Sequence, residues 1–209
     1  MALKVYGNRM SEPTRAVLIF CKKNGIDFEE IQVDVLKGHH FSPEYKVGYM
    51  HRYPVDPSKR AKIHSILDWH HSYLRRGAAG LVFNSILAPV NGMRSYPQII
   101  IQAEEILLRS LSKLENVWLK DGRFLGGSTQ PSIADLSLAC EVMQLQLLSE
   151  KDYNRILSPY KKVKKWIEDI RSATAPYFDE VHEHLFESQK GIREKMVTQS
   201  GKNNVRSKM

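Results

Sequence analysis

The sequence has only two cysteines among its 209 residues, and both Cys21 and Cys140 fall within apolar helical patterns. Two isolated cysteines make no disulfide framework, which is typical of proteins from a reducing compartment. Long hydrophobic runs are also absent, because the longest weakly polar stretch, residues 77–93, is interrupted by Asn84 and Pro89. We therefore expect no membrane-spanning helix.

Acidic residues are in deficit, with 23 Asp and Glu against 31 Lys and Arg, so that the formal net charge is +8. A basic chain can bind nucleic acid, but no aromatic residues alternate with the basic ones here and no zinc-ligand spacing occurs. The excess of basic residues is spread along the chain and is densest at residues 161–165 and in the C-terminal tail. We interpret these segments as solvated basic faces and predict no nucleic-acid partner.

One helix is marked more clearly than the others. Ser132 is a favourable N-cap, and Asp135, three residues later, can accept hydrogen bonds from first-turn amides as in a capping box. Apolar residues then recur at steps of three and four, at Ile133, Leu136, Cys140, Met143 and Leu147. The pattern predicts a central core helix with a structural role, and polar residues return only at Glu141 and Gln144.

The N-terminal segment has a strand–helix–strand pattern. Leu3–Tyr6 is a predicted strand, Ser11 caps a helix with Pro13 in its first turn, and Gly25 ends that helix. Because the connection is a helix, we expect the two strands to be parallel. The apolar face of the second strand consists of Ile31, Val33 and Val35.

Beyond a linker at residues 53–57 the pattern is helical. A long helix is predicted from Pro57 to about Leu87, with Asp56 as its N-cap. Its predicted inward side chains are Ile63, Ile66, Leu67, His70, Tyr73 and Leu74. Further helices are predicted at residues 98–120, from 132, at 159–173 and from 176. The inward residues of the helix at 98–120 are Ile101, Leu107, Leu108, Leu111, Leu114 and Trp118.

Three segments resemble the theta class of glutathione transferases, most of all its plant members. Residues 9–17, Arg-Met-Ser-Glu-Pro-Thr-Arg-Ala-Val, resemble the active-serine segment of that class. Residues 69–77 resemble the first helix of its helical domain, and residues 124–135 resemble the capped core helix of the whole family. The resemblance spans nearly all of residues 1–187. It implies a two-domain α+β fold, with a thioredoxin-like βαβ part before an all-α C-terminal domain.

The same resemblance implies a site. The serine that matches Ser11 donates its hydroxyl to the glutathione sulfur and favours the thiolate. His40 matches a histidine that contacts the glycine end of glutathione, and Arg75 matches an arginine near the electrophile. From the residues alone, Ser11 is a plain N-cap, His40 a solvated loop residue and Arg75 an exposed helix charge. For Arg75 both interpretations stay open.

The activity implied by the resemblance is conjugation of glutathione to small hydrophobic electrophiles, or reduction of organic hydroperoxides, by a homodimer. Glutathione is then the co-substrate. His64, Asp68 and His71 share one helix face, but they have no further ligand in view. We therefore predict no metal site.

The sequence departs from the family in the glutathione domain. Members have a proline loop, two further strands and a helix with an acidic–serine pair, which together need roughly 30 residues. Here Tyr45-Lys46-Val47 leads almost directly to the linker. We predict an incomplete thioredoxin-like domain at residues 1–52, an all-helical domain at 57–189 and a flexible basic tail at 190–209. A second hypothesis is therefore a catalytically impaired relative that acts as a binding or dimerisation module.

The tail ends in Ser207-Lys208-Met209, which resembles the Ser-Lys-Leu peroxisomal address with Met in place of Leu. We expect a peroxisomal location, with the cytoplasm as the alternative.

Overall fold

The computed structural model describes residues 3–33 and 56–206, with side chains as far as Ile192 in the second range. In chain order its strands and α-helices are β1 (Leu3–Gly7), α1 (Glu12–Lys23), β2 (Phe28–Gln32), α2 (Pro57–Trp69), α3 (Arg75–Val82), α4 (Ala88–Val90), α5 (Pro97–Lys113), α6 (Ile133–Met143), α7 (Glu150–Leu157), α8 (Lys161–Ala173) and α9 (Tyr177–Arg206). The predicted order, a short βαβ part followed by helices, is confirmed.

The two strands are parallel, as the helical connection predicts, with Leu3 opposite Phe28 and Gly7 opposite Gln32. The second strand was expected at Ile31 to Val35, but it begins three residues earlier. It follows the turn at Gly25, whose φ of 62° suits glycine, and pairs with all five residues of β1. Val33 lies just beyond β2, where its amide donates to the Gly7 carbonyl at 2.8 Å.

Helices α2, α3 and α4 follow one another through π-helical segments at His70–Leu74 and Phe83–Leu87. Asp56 caps α2 as predicted, accepting from the amides of Ser58 and Lys59 at 2.8 and 3.2 Å. The prediction that Tyr73 faces inward is wrong, because its side chain is 57% exposed. A π-helical turn is wider than an α-helical one, so the third residue after His70 does not return to the buried face.

Helix α5 packs on α3 through Leu107 and Ala103, which are buried. It passes into a π-helical segment at Leu114–Trp118. The expectation that Ile101 faces inward is wrong, since 53% of its surface is exposed. Ile101 precedes Ala103 by two residues, and two residues along an α-helix lie on nearly opposite faces.

The α3–α5 contact requires a glycine, and a substitution tests this. A Cβ atom at Gly77 would lie 2.5 Å from the Leu107 amide nitrogen and 2.7 Å from its Cα. We expect Gly77→Ala to lower the free energy of unfolding by about 1–3 kcal/mol, because the helices must move apart. Gly191→Ala in α9, where a Cβ meets nothing within 4 Å, is the control. It should gain about 0.5–1 kcal/mol. Denaturant titration measures both, and equal effects would contradict the packing argument.

Helix α6 lies at the centre of the helical domain, as its pattern predicts, with Leu138, Ala139 and Cys140 fully buried. Its polar residues are buried too: Glu141 has no exposed surface and Gln144 only 4%. Gln144 opens the 3₁₀ turn Gln144–Leu147 that follows α6, and a second 3₁₀ turn, Leu125–Gly127, precedes it. The largely apolar core thus contains several buried polar side chains, among them Arg15 of α1, Glu141 of α6 and Gln144 just after it.

The C-terminal part differs in its boundaries from the predicted helices. The sequence pattern missed α7, and α8 begins at Lys161, after the predicted Pro159. The backbone of α9 continues to Arg206, well past Lys190. The domain boundaries and the flexibility of residues 190–209 stay predictions.

Within residues 3–33 and 56–206, no helix is long and apolar enough to cross a bilayer. In the same residues, including His64, Asp68 and His71, no three potential ligands are grouped to hold a metal ion. His40, Val35 and Ser207-Lys208-Met209 lie outside the described residues.

Candidate functional site

Ser11 is the N-cap of α1, with φ −81° and ψ 126°. Its amide donates to the Asn8 carbonyl at 2.8 Å, but its hydroxyl makes no capping hydrogen bond to the helix. The side chain is half-buried. A hydroxyl donor therefore lies at the positive end of a helix dipole without being used to cap it.

The turn before Ser11 is held by its own side chains. The Asn8 side-chain oxygen accepts from the Met10 amide at 2.8 Å. Arg9 forms a two-pronged ion pair with Glu30 of β2, with its Nη2 2.8 Å from Oε2 and its Nε 3.1 Å from Oε1. These contacts connect the Ser11 turn to the sheet.

Arg15, one turn into α1, is fully buried and connects the same turn to α6. Its Nη1 donates to the carbonyls of Arg9 and Met10 at 2.8 and 3.0 Å. Its Nη2 donates to the Cys140 carbonyl at 3.0 Å and to Gln144 Oε1 at 2.8 Å. One guanidinium thus spans from the backbone beside Ser11 to the last turn of α6.

Two buried carboxyl groups, those of Glu12 and Glu141, lie near enough to each other to interact electrostatically. Burial raises the pKa of Glu12, the residue after Ser11, and the charge of Glu141 raises it further. The positive charges of Arg15 and Arg75 oppose that rise. Glu141 Oε2 lies 3.1 Å from His70 Nε2, and both residues are buried. The helix end that carries Ser11 therefore adjoins a mixed cluster of buried charges.

Of the three predicted site residues, the structure describes two. Ser11 begins α1, and Arg75 begins α3 close enough to act electrostatically on Glu12 beside Ser11. Arg75 is half-buried, and its position near the electrophile stays a prediction. His40 lies outside the described residues.

Sequence reasoning missed Arg15 and Glu12. A signal existed for Arg15, because it lies three and four residues before Leu18 and Ile19 and so interrupts an apolar stripe. For Glu12 there was no such signal, since an acidic residue in a first turn is ordinary.

The two thiols are not candidate nucleophiles. Cys140 is fully buried, and burial raises its pKa to about 12. Burial raises the pKa of Cys21 as well. Both cysteines are free, and since only a thiolate is a good nucleophile, they act as small core residues.

The helical domain has known relatives. Residues 97–169 match the family described as "Glutathione S-transferase, C-terminal domain". Glutathione S-transferase T1 of Arabidopsis thaliana is 48% identical over 93% of this chain and 94% of its own length. The chain belongs to the theta class of the glutathione S-transferases.

Animal members of the theta class are more distant. Mouse glutathione S-transferase theta-2 is 31% identical over 69% of this chain and 72% of its own length. The structure of human glutathione transferase theta-2, complexed with glutathione and an unknown ligand, superposes with a TM-score of 0.78 at 26% identity. That match covers 93% of this chain and 91% of the human chain.

The alignment with the Arabidopsis theta transferase also bears on the shortened glutathione domain. It runs over 229 positions but uses only 93% of the 209 residues, about 194 of them. About 35 aligned positions therefore have no residue in this chain. Their number agrees with the roughly 30 residues that two strands, a helix and their loops need. That they fall near Tyr45 stays a prediction.

Proposed function

We propose that this theta-class transferase binds glutathione with its sulfur at Ser11 and uses the thiolate as a nucleophile. The substrates are small hydrophobic electrophiles, organic hydroperoxides, or both. With an electrophile, the sulfur forms a bond to carbon and the leaving group departs with its electron pair. With a hydroperoxide, the sulfur takes the terminal oxygen and an alcohol is released. A second glutathione then forms the disulfide and water.

The observation that carries the proposal is the uncapped hydroxyl of Ser11 at the start of α1. A free thiol has a pKa of about 8.5, so at neutral pH only a few per cent of it is the reactive anion. A hydrogen bond from Ser11 and the positive helix end both favour the anion. Each unit by which they lower the thiol pKa corresponds to about 1.4 kcal/mol.

Replacing Ser11 tests this directly. We expect Ser11→Ala to lower the conjugation rate by about 10²-fold, as the loss of one positioned donor to a developing anion commonly does. The pKa of the bound glutathione thiol should rise toward about 8.5. Both are measurable, by turnover of a standard aryl halide and by ultraviolet absorbance of the thiolate against pH.

Ser149→Ala is the matched control, because Ser149 is the exposed N-cap of α7 and accepts from the Asp152 amide at 3.1 Å. It removes a serine cap without touching the Ser11 turn, and its turnover should equal that of wild type. Equal turnover for Ser11→Ala and wild type would contradict the role of Ser11.

The second candidate is a binding or dimerisation module without catalysis. The observation that favours it is the absence of about 35 aligned positions relative to the Arabidopsis theta transferase. A two-stranded sheet such as β1–β2 is also marginal by itself. Conjugation of a standard electrophile by the purified chain, measured beside its retention on immobilised glutathione, separates the candidates, because the module hypothesis predicts no turnover above that of Ser11→Ala.

We also propose that the chain forms homodimers and is imported into peroxisomes through Ser207-Lys208-Met209, with the cytoplasm as the alternative location. The support is the resemblance of the sequence to theta-class members and to the peroxisomal address.

A further inference from the structure

We infer that Arg15, held by Gln144, is the positioning residue that fixes Ser11 for thiolate formation. The inference deepens the proposed function and rests on it. Arg15 is not required to contact the glutathione sulfur. It acts through the backbone carbonyls of Arg9 and Met10, which it binds at 2.8 and 3.0 Å.

The hydrogen bonds of Arg15 are hard to break because its buried positive charge has no water to replace them. Arg15 has no exposed surface, and its hydrogen-bond acceptors are three backbone carbonyls and one side-chain amide. An unpaired buried charge is costly, so the chain cannot give up these bonds without a large penalty. The planar guanidinium also has its donors in a fixed fork, which sets the direction of each bond.

The acceptors of Arg15 at the end of α6 lie where a positive charge is favoured. The Cys140 carbonyl belongs to the last turn of α6, where the helix dipole is negative and a cation is favoured. The amide side chain of Gln144 adds an acceptor with only 4% of the residue exposed. The Ser11 turn is therefore held by contacts with the central helix α6 as well as with the two-stranded sheet.

The contact between the Ser11 turn and α6 matters more here than in a chain with a full glutathione domain. Only β1 and β2 pair in the described part of the N-terminal region. A displacement of a catalytic group by about 1 Å can cost about 10²-fold in rate. The bonds of Arg15 to α6 supply a second anchor for the serine that does not depend on further strands.

The test uses Gln144→Met, which removes the acceptor at nearly constant volume, and Gln144→Glu, which restores an acceptor. Gln146→Met is the matched control, because Gln146 lies in the same 3₁₀ turn and its side chain interacts with Tyr153 instead of Arg15. Each variant is measured as the full chain for the pKa of the bound glutathione thiol, glutathione affinity and hydrogen exchange at the Ser11 amide.

We expect Gln144→Met to raise the bound-thiol pKa by about one unit, a tenfold loss of thiolate at neutral pH. Exchange at the Ser11 amide should become about tenfold faster. Gln144→Glu should recover both values, and Gln146→Met should match wild type. A Gln144→Met protein with wild-type thiol pKa and exchange would overturn the inference, even if its melting temperature falls.

The two hypotheses fail differently. If wild type does not lower the thiol pKa of glutathione, the proposed function fails, and the role of Arg15 in thiolate formation fails with it. If wild type lowers that pKa and Gln144→Met does so equally, the proposed function stands and only the positioning role is lost.

Discussion

Asp135→Leu is expected to lose at least about 3 kcal/mol of unfolding free energy, because four buried or partly buried donors, including the Ser132 hydroxyl, lose their acceptor at about 1–3 kcal/mol each. Asp135 has no exposed surface. Its Oδ1 accepts from the Leu125 amide at 2.8 Å and from the Trp166 indole at 2.9 Å. Its Oδ2 accepts from the Ser132 amide at 2.8 Å. Urea titration followed by tryptophan fluorescence measures the loss.

The chain supplies its own control in a second Ser-x-x-Asp motif. At the start of α7, Ser149 and Asp152 share only the hydroxyl contacts: Ser149 Oγ donates to Asp152 Oδ2 at 2.6 Å and accepts from the Asp152 amide at 3.1 Å. The Asp152 side chain is 48% exposed, so water can replace it. Asp152→Leu should therefore cost only about 1 kcal/mol, the usual value of a cap. A similar loss in both variants would show that the cap alone, and not the bonds to Leu125 and Trp166, accounts for the effect.

These two motifs show what local sequence can predict. The pairing of Ser132 with Asp135 was predicted because a capping box is a property of four consecutive residues. The bond from Trp166 was not predicted, since 31 residues separate the partners. The motif at Ser149 carried a signal for α7, but eight residues are too few for a periodic pattern to stand out.

Burial errors have the same origin. Tyr73 and Ile101 were assigned to the interior from an α-helical period, and each is more than half exposed. For Tyr73, the π-helical segment changes the number of residues per turn, and the sequence of residues 70–74 gives no signal for such a segment. Glu141 is the reverse case, because a carboxylate is predicted to face water unless its partner is known. Its partner, His70, comes from another helix.

The candidate site also contains one residue that local sequence predicts and others that it does not. Ser11 came from a resemblance and from the Ser-x-Pro start of α1, which are both local. Arg15 acts between α1 and α6, and its acceptor Gln144 is 129 residues away in sequence. Such a contact becomes visible only when the two helices are packed together. For this reason the first residue of the site was predicted and its support was not.

His182 should make the stability of the fold sensitive to acid. Its ring is fully buried and stacked on Phe178, with ring centroids 4.2 Å apart. Nδ1 lies 2.7 Å from the Phe178 carbonyl, which only accepts, so Nδ1 carries the hydrogen. Nε2 is buried and has no partner among the described residues. Protonating Nε2 would therefore create a buried donor and a buried charge.

The folded state resists that protonation. Burial lowers the pKa of His182 from 6.5 to about 3, and the positive charges of Arg15 and Arg171 contribute in the same direction. Well above pH 6.5 the histidine is neutral in both states and has no effect on stability. As the pH falls from 6.5 toward about 3, the unfolded chain takes up a proton that the folded chain does not. Stability is then lost at about 1.4 kcal/mol per pH unit.

His182→Gln removes the titration and keeps a side-chain donor for the Phe178 carbonyl. The free energy of unfolding is measured by urea titration at several pH values between 6.5 and 4.5 for wild type and variant. Over these two units, wild type should lose about 2.3 kcal/mol more than His182→Gln, because at pH 6.5 the unfolded histidine is already half protonated. Taking the difference removes the contributions of carboxyl groups such as Glu12, which titrate in both proteins.

His184→Gln is the matched control, two residues along α9, where the histidine side chain is 50% exposed and lies 3.8 Å from Glu187. It should keep the wild-type dependence on pH, because the substitution leaves the buried His182 ring and its contacts unchanged. If His182→Gln shows the same acid loss as wild type, the buried imidazole is not its cause. If instead His184→Gln abolishes the loss, the surface pair with Glu187 is responsible, and the stack on Phe178 has only a packing role.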